Sequence, residues 1–532
     1  MSQDKPNPSH PTVATDGGMQ PPRRKNKRPP RFEHEKNRHN PVEKATAERE
    51  KTQAPAGKPK SERGRREPER REPERRKGTQ NPRELVVETL MRIEEGGYSN
   101  IVWDIALKRS DLSSLDKMLA TRIFYGTLSN MRLIDSLWAS IEPEMLKRAD
   151  AVVKMTLRSA MYQLVFLDRV PAYSIVSTSV DLVKRLRNRA ASGYCNALLR
   201  KAVARQESPR GLKFEPTGNR LNDFAVQYSL NDDLAKLLLD EFGEDADVIA
   251  QSMLSVPRMM LRINESRTTL EKFMSMKNIN VERSTLLPET SCAVQARQDM
   301  LDDALEQGYV CVQDEAAQLA VCALGNPETW GVGQKEVHIW DACAGQGGKS
   351  IHILDEIATS DKSRKYTLLS TDLYANKLSR LKDYQQKFFS EQHLITRERD
   401  LTQPGSVPLA PFDVILVDAP CSGLGVLRRH PEVKLTRTAE DIQSLVSLQK
   451  EILDNVCRHL RVGGILVYAV CTITKEECEQ QVEKFLQAHP NFEADVLPAP
   501  CTANHEPASQ IRFMPHIDGC DGFFIARFVR KT

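Results

Sequence analysis

The spacing of apolar positions changes character along the chain. From residue 83 they recur every three to four residues, in ELVVETLMRIEEG (84–96), DKMLATRIFYGTLSNMRLIDSLWASI (116–141), ADAVVKMTLRSAMYQLVFLD (149–168), AYSIVSTSVDLVKRLR (172–187) and SGYCNALLRKAVARQ (192–206). A helical period without strand-type alternation predicts an all-α domain over 83–208, closed by the breakers SPRG (208–211). Residues 209–300 are mixed, with helices predicted at 230–243, 245–254 and 269–277 and a strand at MMLRIN (259–264), a small α+β connector. Beyond residue 300, short apolar runs alternate with helical stretches. Strands are predicted at YVCV (309–312), EVHIWDAC (336–343), YTLLSTD (366–372), FDVILVDAP (412–420), GGILVYAVC (463–471) and GFFIARFV (522–529). Strands apolar on both faces, separated by helices, predict a doubly wound α/β domain over 301–532.

Residues 1–82 follow neither period and hold 13 of the 30 prolines. Residues 1–80 carry 22 Lys and Arg against 12 Asp and Glu, with only 10 apolar side chains. Such a stretch cannot bury enough apolar surface to offset its ordering entropy, so a disordered basic tail is predicted. The formal charge of +4 thus conceals a tail of +10 on a body of −6, which excludes a uniformly basic, histone-like surface. The tail reads either as a solvated linker or as an electrostatic arm for RNA phosphates. No run approaches the roughly 18–20 apolar residues that span a bilayer. The start, MSQDKPNPSH, lacks the apolar core of a secretory signal. Eleven cysteines without C-x-x-C pairs or metal-type spacing predict free thiols in a reducing cytoplasm, and no zinc site.

In doubly wound sheets ligands bind at the carboxyl ends of the strands. The first such end is DACAGQGGKS (341–350), where Gly345, Gly347 and Gly348 allow a tight turn and close approach of a ligand. It is neither a Walker loop, since Cys343 stands where glycine is required, nor a G-x-G-x-x-G fingerprint. The next two ends offer Asp372, placed to hold two ribose hydroxyls or to cap a helix, and Asp400, placed to accept from an adenine amino group. A glycine loop followed by two such acids predicts an adenosine-like cofactor without pyrophosphate.

The fourth and fifth ends each carry a cysteine, in DAPCSGLGVLRRHPE (418–432) and YAVCTITKEE (468–477). A lone cysteine is most often core. Two after neighbouring strands about 4.8 Å apart would face one crevice, with Asp418 three residues before Cys421 pointing into it. A nucleophile, an acid and a second thiol beside a methyl donor form a chemically complete set.

These blocks resemble the bacterial Sun/Fmu family of 16S ribosomal RNA cytosine-C5 methyltransferases over about residues 83–532, with DAPCSG…RRHPE and YAVCT as the most specific motifs. The helical part resembles the antitermination factor NusB in RIFYGTLSN, MYQLVFLDRVP and NALLRK, and LRIN and GYVCVQDEAAQL match the family's connecting segments. The resemblance implies a multidomain chain: a NusB-like RNA-binding domain, an α+β connector and a Rossmann-like methyltransferase domain using S-adenosylmethionine and no metal. It implies that Cys343, Ala344, Gly345, Gln346, Gly347, Gly348 and Lys349 contact the methionine and ribose, that Asp372 holds the ribose, that Asp400 approaches the adenine and that Asp418 lies between cofactor and base. Cys471 is implied as the nucleophile and Cys421 as the group that assists release. The loop reads AGQGGK where the family has alanine and proline before GGK, and VCT replaces the usual TCS; neither removes a reactive group. Thiolate addition to carbon 6 makes carbon 5 of cytosine enamine-like, which explains why the chemistry needs a cysteine. Either Cys421 or a water then takes the carbon-5 proton. The expected partner is RNA, with no membrane and no obligate protein partner, and a monomer is expected. The alternatives are the same chemistry on transfer RNA, or an inactive RNA-binding module of antitermination type.

Overall fold

The computed structural model of the protein describes residues 81–187, 189–276, 280–294, 301–403, 405, 411–502 and 505–532, so the basic tail lies outside them except for its last two residues. Asn81 starts the first helix, Pro82–Glu94, by accepting the Arg83 and Glu84 N–H groups at 2.9 and 3.3 Å, with proline in the first helical position. Helices follow at Ser99–Arg109, Ser114–Ser129, Met131–Ile141, Met145–Arg148, Ala151–Phe166, Ala172–Leu186 and Arg189–Glu207. They close on one core, in which Trp103 stacks on Phe124 at 4.2 Å and Ile134, Trp138, Leu157 and Met161 are fully buried. Gly126 permits the tight crossing with Ala151–Phe166, since a Cβ there would lie 1.9 Å from Tyr162 Cζ. Two details depart from the periodicity. The run 116–141 breaks at Asn130, whose backbone leaves the helical region (φ −117°, ψ 21°). Ser99–Arg109 is helical although it buries only Ser99, Trp103 and Ala106, too narrow a stripe to register as a pattern.

Helices Arg220–Gln227, Asp232–Phe242 and Ala246–Ser252 lead into a four-stranded antiparallel sheet. Its strands are β1 (Met259–Ile263), β2 (Val281–Arg283), β3 (Ser291–Val294) and β4 (Val310–Val312), in the order β2-β3-β1-β4. The run at 309–312, expected to open the large sheet, instead pairs with β1 through Leu261↔Val312 and Ile263↔Val310. The smaller sheet therefore extends past the expected boundary at residue 300. A run of three or four apolar residues carries no signal of which sheet it joins. Arg262 of β1 reaches helix Gly348–Thr359, where it meets Asp355 at 2.9 Å in a pair that is almost fully buried. Asp355 also accepts the Glu265 and Ser266 N–H groups, so the smaller sheet holds the helix that starts at the glycine loop.

The large sheet contains β5 (Glu336–Asp341), β6 (Lys365–Asp372), β7 (His393–Glu398), β8 (Phe412–Asp418), β9 (Leu460–Val470), β10 (Phe492–Ala494), β11 (Gln510–Phe513) and β12 (Phe523–Arg530). Its order is β10-β12-β9-β8-β5-β6-β7, with β11 also paired to β12. β5 to β9 run parallel, while β12 is antiparallel to β9. Successive residues of one strand enter opposite cores: Val414 and Leu416 pack with Ile339 and Val467 on one face, Ile415 and Val417 with Trp340 and Tyr468 on the other. Both faces are covered, which is why these strands read as unbroken apolar runs. The order reverses on either side of β5, and the carboxyl ends of β5, β6 and β8 define a crevice there.

The segment after the Cys421 loop joins this domain to the helical one. Glu432 accepts the Ser99 N–H at 3.1 Å, and Lys434, fully buried, donates to the carbonyls of Ser129 and Tyr228 at 2.5 and 3.1 Å. Burial pushes the Lys434 ammonium down to about 7. Among the described residues no helix is long and apolar enough to cross a membrane.

Candidate active site

The loop after β5 is shaped by its backbone. Ala342 N–H bonds the Leu416 carbonyl at 2.9 Å and Ala344 N–H the Thr371 carbonyl at 2.8 Å, so the turn is stitched to both neighbouring strands. Gly347 caps helix Gly348–Thr359 at φ 87°, and a Cβ there would lie 2.7 Å from Leu381 Cβ. On the other side, a Cβ at Gly345 or Gly348 would meet nothing within 4 Å. The glycines therefore leave an open shelf above a helix N-terminus. Ala344 packs into the core below, Gln346 lies on the surface beside Arg380, and Cys343 turns toward the core, where burial and the surrounding carboxylates hold it as a thiol.

Asp372, at the end of β6, is nearly buried at the edge of this shelf and accepts the Gly345 and Tyr374 N–H groups, each at 3.0 Å. Lys377 lies 3.2 Å from it. The following helix starts at Ala375 with Tyr374 as its cap residue, so Asp372 is not the N-cap. Asp400, past the end of β7, accepts from the backbone and hydroxyl of Thr402 at 3.0 and 2.7 Å. At the base of the crevice Asp341 is fully buried; its Oδ2 accepts from Ser350 at 2.6 Å and its Oδ1 has no partner among the described residues. Burial pushes this carboxyl up to about 7. An open glycine shelf rimmed by an acid fits an adenosine-type cofactor that carries no phosphate. Among the described residues no cluster of His, Cys, Asp or Glu is arranged to hold a metal.

Cys421 and Cys471 come together. β8 and β9 are adjacent and parallel, with Asp418 opposite Ala469, and the two sulfurs lie 3.2 Å apart. Cys421 packs against the core of one face and Cys471 against that of the other, so the pair meets over the top of the sheet. The contact with Cys471, then burial and nearby negative charge, push the Cys421 thiol well above the ordinary thiol range. Asp418 accepts from Lys349 Nζ at 2.6 Å. Burial alone would depress this ammonium, but Asp418, together with Cys471 and Asp341, holds it above the usual lysine value. Lys349 leaves the first turn of the helix at the glycine loop, and its ammonium lies 5.4 Å from the ring centroid of Phe523.

Other residues that shape the crevice were not singled out from the sequence. Asp521 accepts from Arg428 at 2.6 Å and from Arg429 at 2.5 Å, and Arg429 also reaches Asp314 at 2.8 Å. The RRHPE and QDEAAQL blocks are thereby tied to the turn before β12. Gly425 donates to the Cys471 carbonyl at 3.1 Å and accepts from Gly522 at 2.9 Å. Glu477, fully buried, accepts from residues that follow both cysteines. The sequence marked Arg428, Arg429, Gly425 and Glu477 only by their presence in the cysteine-bearing blocks, Gly522 only as the start of a predicted strand, and Asp521 not at all.

The chain matches the family model described as 16S rRNA methyltransferase RsmB/F over residues 331–529, and that of the NusB family over residues 80–204. Proteins named ribosomal RNA small subunit methyltransferase B from Vibrio cholerae and Vibrio vulnificus are each 30% identical to it, over 84% and 85% of this chain and 96% and 100% of their own. The crystal structure of PH0851 shares the fold, with a TM-score of 0.70 at 22% identity, covering 86% of this chain and 100% of that one. With a NusB-family helical domain ahead of a Rossmann-like catalytic sheet, the chain belongs to the ribosomal RNA small subunit methyltransferase B family, and is an rRNA methyltransferase.

Proposed function

We propose that this protein methylates carbon 5 of a cytosine in 16S ribosomal RNA, with Cys471 as nucleophile and S-adenosylmethionine as methyl donor. The observation that carries this reading is the pair of sulfurs 3.2 Å apart at the ends of adjacent strands, beside the Lys349–Asp418 ion pair. A methyltransferase acting on nitrogen or oxygen needs no such pair; carbon 5 of cytosine needs a thiolate to activate it.

The shelf of Cys343, Ala344, Gly345, Gln346, Gly347, Gly348 and Lys349 would hold the cofactor, with Asp372 on the ribose and Asp400 toward the adenine. When bound there, S-adenosylmethionine supplies an electrophilic methyl group on a sulfonium. Cys471 adds to carbon 6, forming a C–S bond; the 5,6 electron pair becomes the 4,5 double bond and the 3,4 pair moves onto N3. Asp418, ion-paired with the Lys349 ammonium, lies toward N3, and the ammonium stabilises the negative charge that develops there. Carbon 5 is then enamine-like and takes the methyl group. Release needs the carbon-5 proton to pass to a base, the C–S bond to break and the 5,6 double bond to re-form. Cys421, held as a thiol, donates its proton to the departing Cys471 sulfur, and the thiolate this leaves, or a water, takes the carbon-5 proton. RNA is the partner this reading requires, with the NusB-family helices and the basic tail as its binding surfaces. A reducing cytoplasm is the matching compartment, since adjacent thiols join under an oxidising poise.

The test separates the two thiols. Cys471→Ala should abolish both methyl transfer and any covalent RNA adduct. Cys421→Ala should transfer the methyl group and then stall as a detergent-resistant, ribonuclease-sensitive protein–RNA complex. Turnover by the double Ala variant would refute the covalent mechanism, and a trapped adduct in Cys471→Ala alone would reverse the roles. Mapping 5-methylcytosine in ribosomal and transfer RNA of a deletion strain tests the substrate.

A further inference from the structure

The crevice contains a carboxylate that the chemistry above does not use. Glu477 is fully buried, six residues after Cys471, and forms no salt bridge with a described residue. Its Oε1 accepts the Ser422 N–H at 2.8 Å and Gln449 Nε2 at 2.9 Å. Its Oε2 accepts the hydroxyls of Ser422 at 2.5 Å, Thr472 at 3.1 Å and Thr474 at 2.9 Å. Ser422 immediately follows Cys421 and Thr472 immediately follows Cys471, and their hydroxyls are themselves 2.7 Å apart. Gln449, also fully buried, donates to the carbonyl of Pro420, on the other side of Cys421.

Burying a carboxylate without a cation costs several kcal/mol, and an apolar residue of similar size would fill the same space more cheaply. These donors offset that cost only if both cysteine loops keep their present positions. The geometry points to Glu477 as a positioning residue for methyl transfer: it grips the residue after each cysteine and so fixes the two sulfurs in one register toward the base. This rests on the covalent reading above. After the Cys471 contact and burial, Glu477 adds to the negative surroundings that keep Cys421 protonated.

The experiment compares the parent enzyme with Glu477→Ala and Glu477→Gln, measuring kcat and KM for RNA, cofactor affinity by calorimetry and thermal melting. The same substitutions are placed in a Cys421→Ala background, where the rate of Cys471–RNA adduct formation is read directly. A displacement of about 1 Å at a reacting group costs about 10²-fold. Glu477→Ala should therefore lower kcat and the adduct rate about a hundredfold, with KM for RNA and cofactor affinity within threefold of the parent. Glu477→Gln, which keeps one carbonyl oxygen for the Ser422 N–H and Gln449, should recover part of the loss. If Glu477→Ala does not fold, Ser422→Ala combined with Thr472→Val removes the hydroxyl grips and should slow the adduct step in the same sense. A lower melting temperature with undiminished kcat and adduct rate would overturn the assignment, because a merely structural residue behaves in that way. If the Cys421→Ala parent itself forms no adduct, the covalent reading falls and this inference with it. An adduct in that parent, formed equally fast without Glu477, would remove the inference alone.

Discussion

Replacing Gly425 by Ala tests whether the crevice depends on close backbone contact between loops. The added Cβ would lie 1.8 Å from the carbonyl oxygen of Gly522 and 2.4 Å from its carbon, where 3.0 Å is the closest approach that real Cβ atoms make. The Cys421 loop and the turn before β12 must then separate by roughly 1.2 Å or more, because backbone on both sides leaves no flexible group to yield. Gly425 does not have a positive φ, so the effect is steric and not a matter of backbone strain. The displaced residue also donates to the Cys471 carbonyl, so movement reaches both cysteines. Overpacking of this kind costs about 1–3 kcal/mol in stability, and a shift of about 1 Å at the reacting groups lowers the rate about 10²-fold. Single-turnover methyl transfer at saturating RNA, alongside thermal melting, reads both quantities. Gly193→Ala is the control: it lies in helix Arg189–Glu207, its Cβ would meet nothing within 4 Å, and it should leave the rate unchanged. A Gly425→Ala enzyme that retains a rate within threefold of the parent would refute the close-contact argument.

Two further substitutions address the cofactor end. Asp341 has its carboxyl raised to about 7 by burial, so the folded protein holds this proton more tightly than the unfolded chain. Its contribution to stability is complete below the unfolded value of about 3.9 and is lost as pH rises through the folded value, a difference of up to about 4 kcal/mol. Melting of the parent should therefore fall relative to Asp341→Asn between about pH 4 and pH 7, and parallel pH profiles would contradict this. Gly348→Ala adds a Cβ in open space at the first position of a helix, so stability should hold within about 1 kcal/mol. That Cβ would project onto the shelf, and calorimetry should show S-adenosylmethionine binding weakened about tenfold or more, equivalent to about 1.4 kcal/mol. Unchanged affinity would place the cofactor elsewhere.

The large sheet was legible because burial on both faces leaves a strong trace. FDVILVD and EVHIWD are almost continuous apolar runs, and each ends in the acid that marks its carboxyl end. The helical domain was legible for the related reason that broad apolar stripes repeat at 3.6 residues. What was lost is instructive. β7, HLITRE, is half-exposed at the edge of the sheet and mixes charges into its run, so it gave only its terminal acid. Val310–Val312 looked like any other short strand, since nothing local distinguishes pairing with β1 from pairing with β5. Short edge elements owe their placement to contacts distant in sequence, and composition does not record those.

The residues proposed to react stand out for a different reason: they sit at strand ends, where a polar side chain interrupts an apolar run. Cys421, Cys471, Asp418 and Asp372 all have that property. The residues that hold them do not. Glu477 lies in a polar stretch, TKEECEQ, where it has the same appearance as the partly exposed Glu476 and the ion-paired Glu479. Only the fold turns one of the three inward, beneath two cysteines that are 50 positions apart in the chain. Asp521 is similarly inconspicuous until Arg428 and Arg429, more than 90 positions earlier, converge on it. A buried charge is costly wherever it occurs, and its cost is offset by donors brought from several segments at once. A strand end exposes its chemistry along the chain, whereas a clamp exists only between chain segments. That is why the proposed nucleophile can be picked out from a dozen residues and its surroundings cannot.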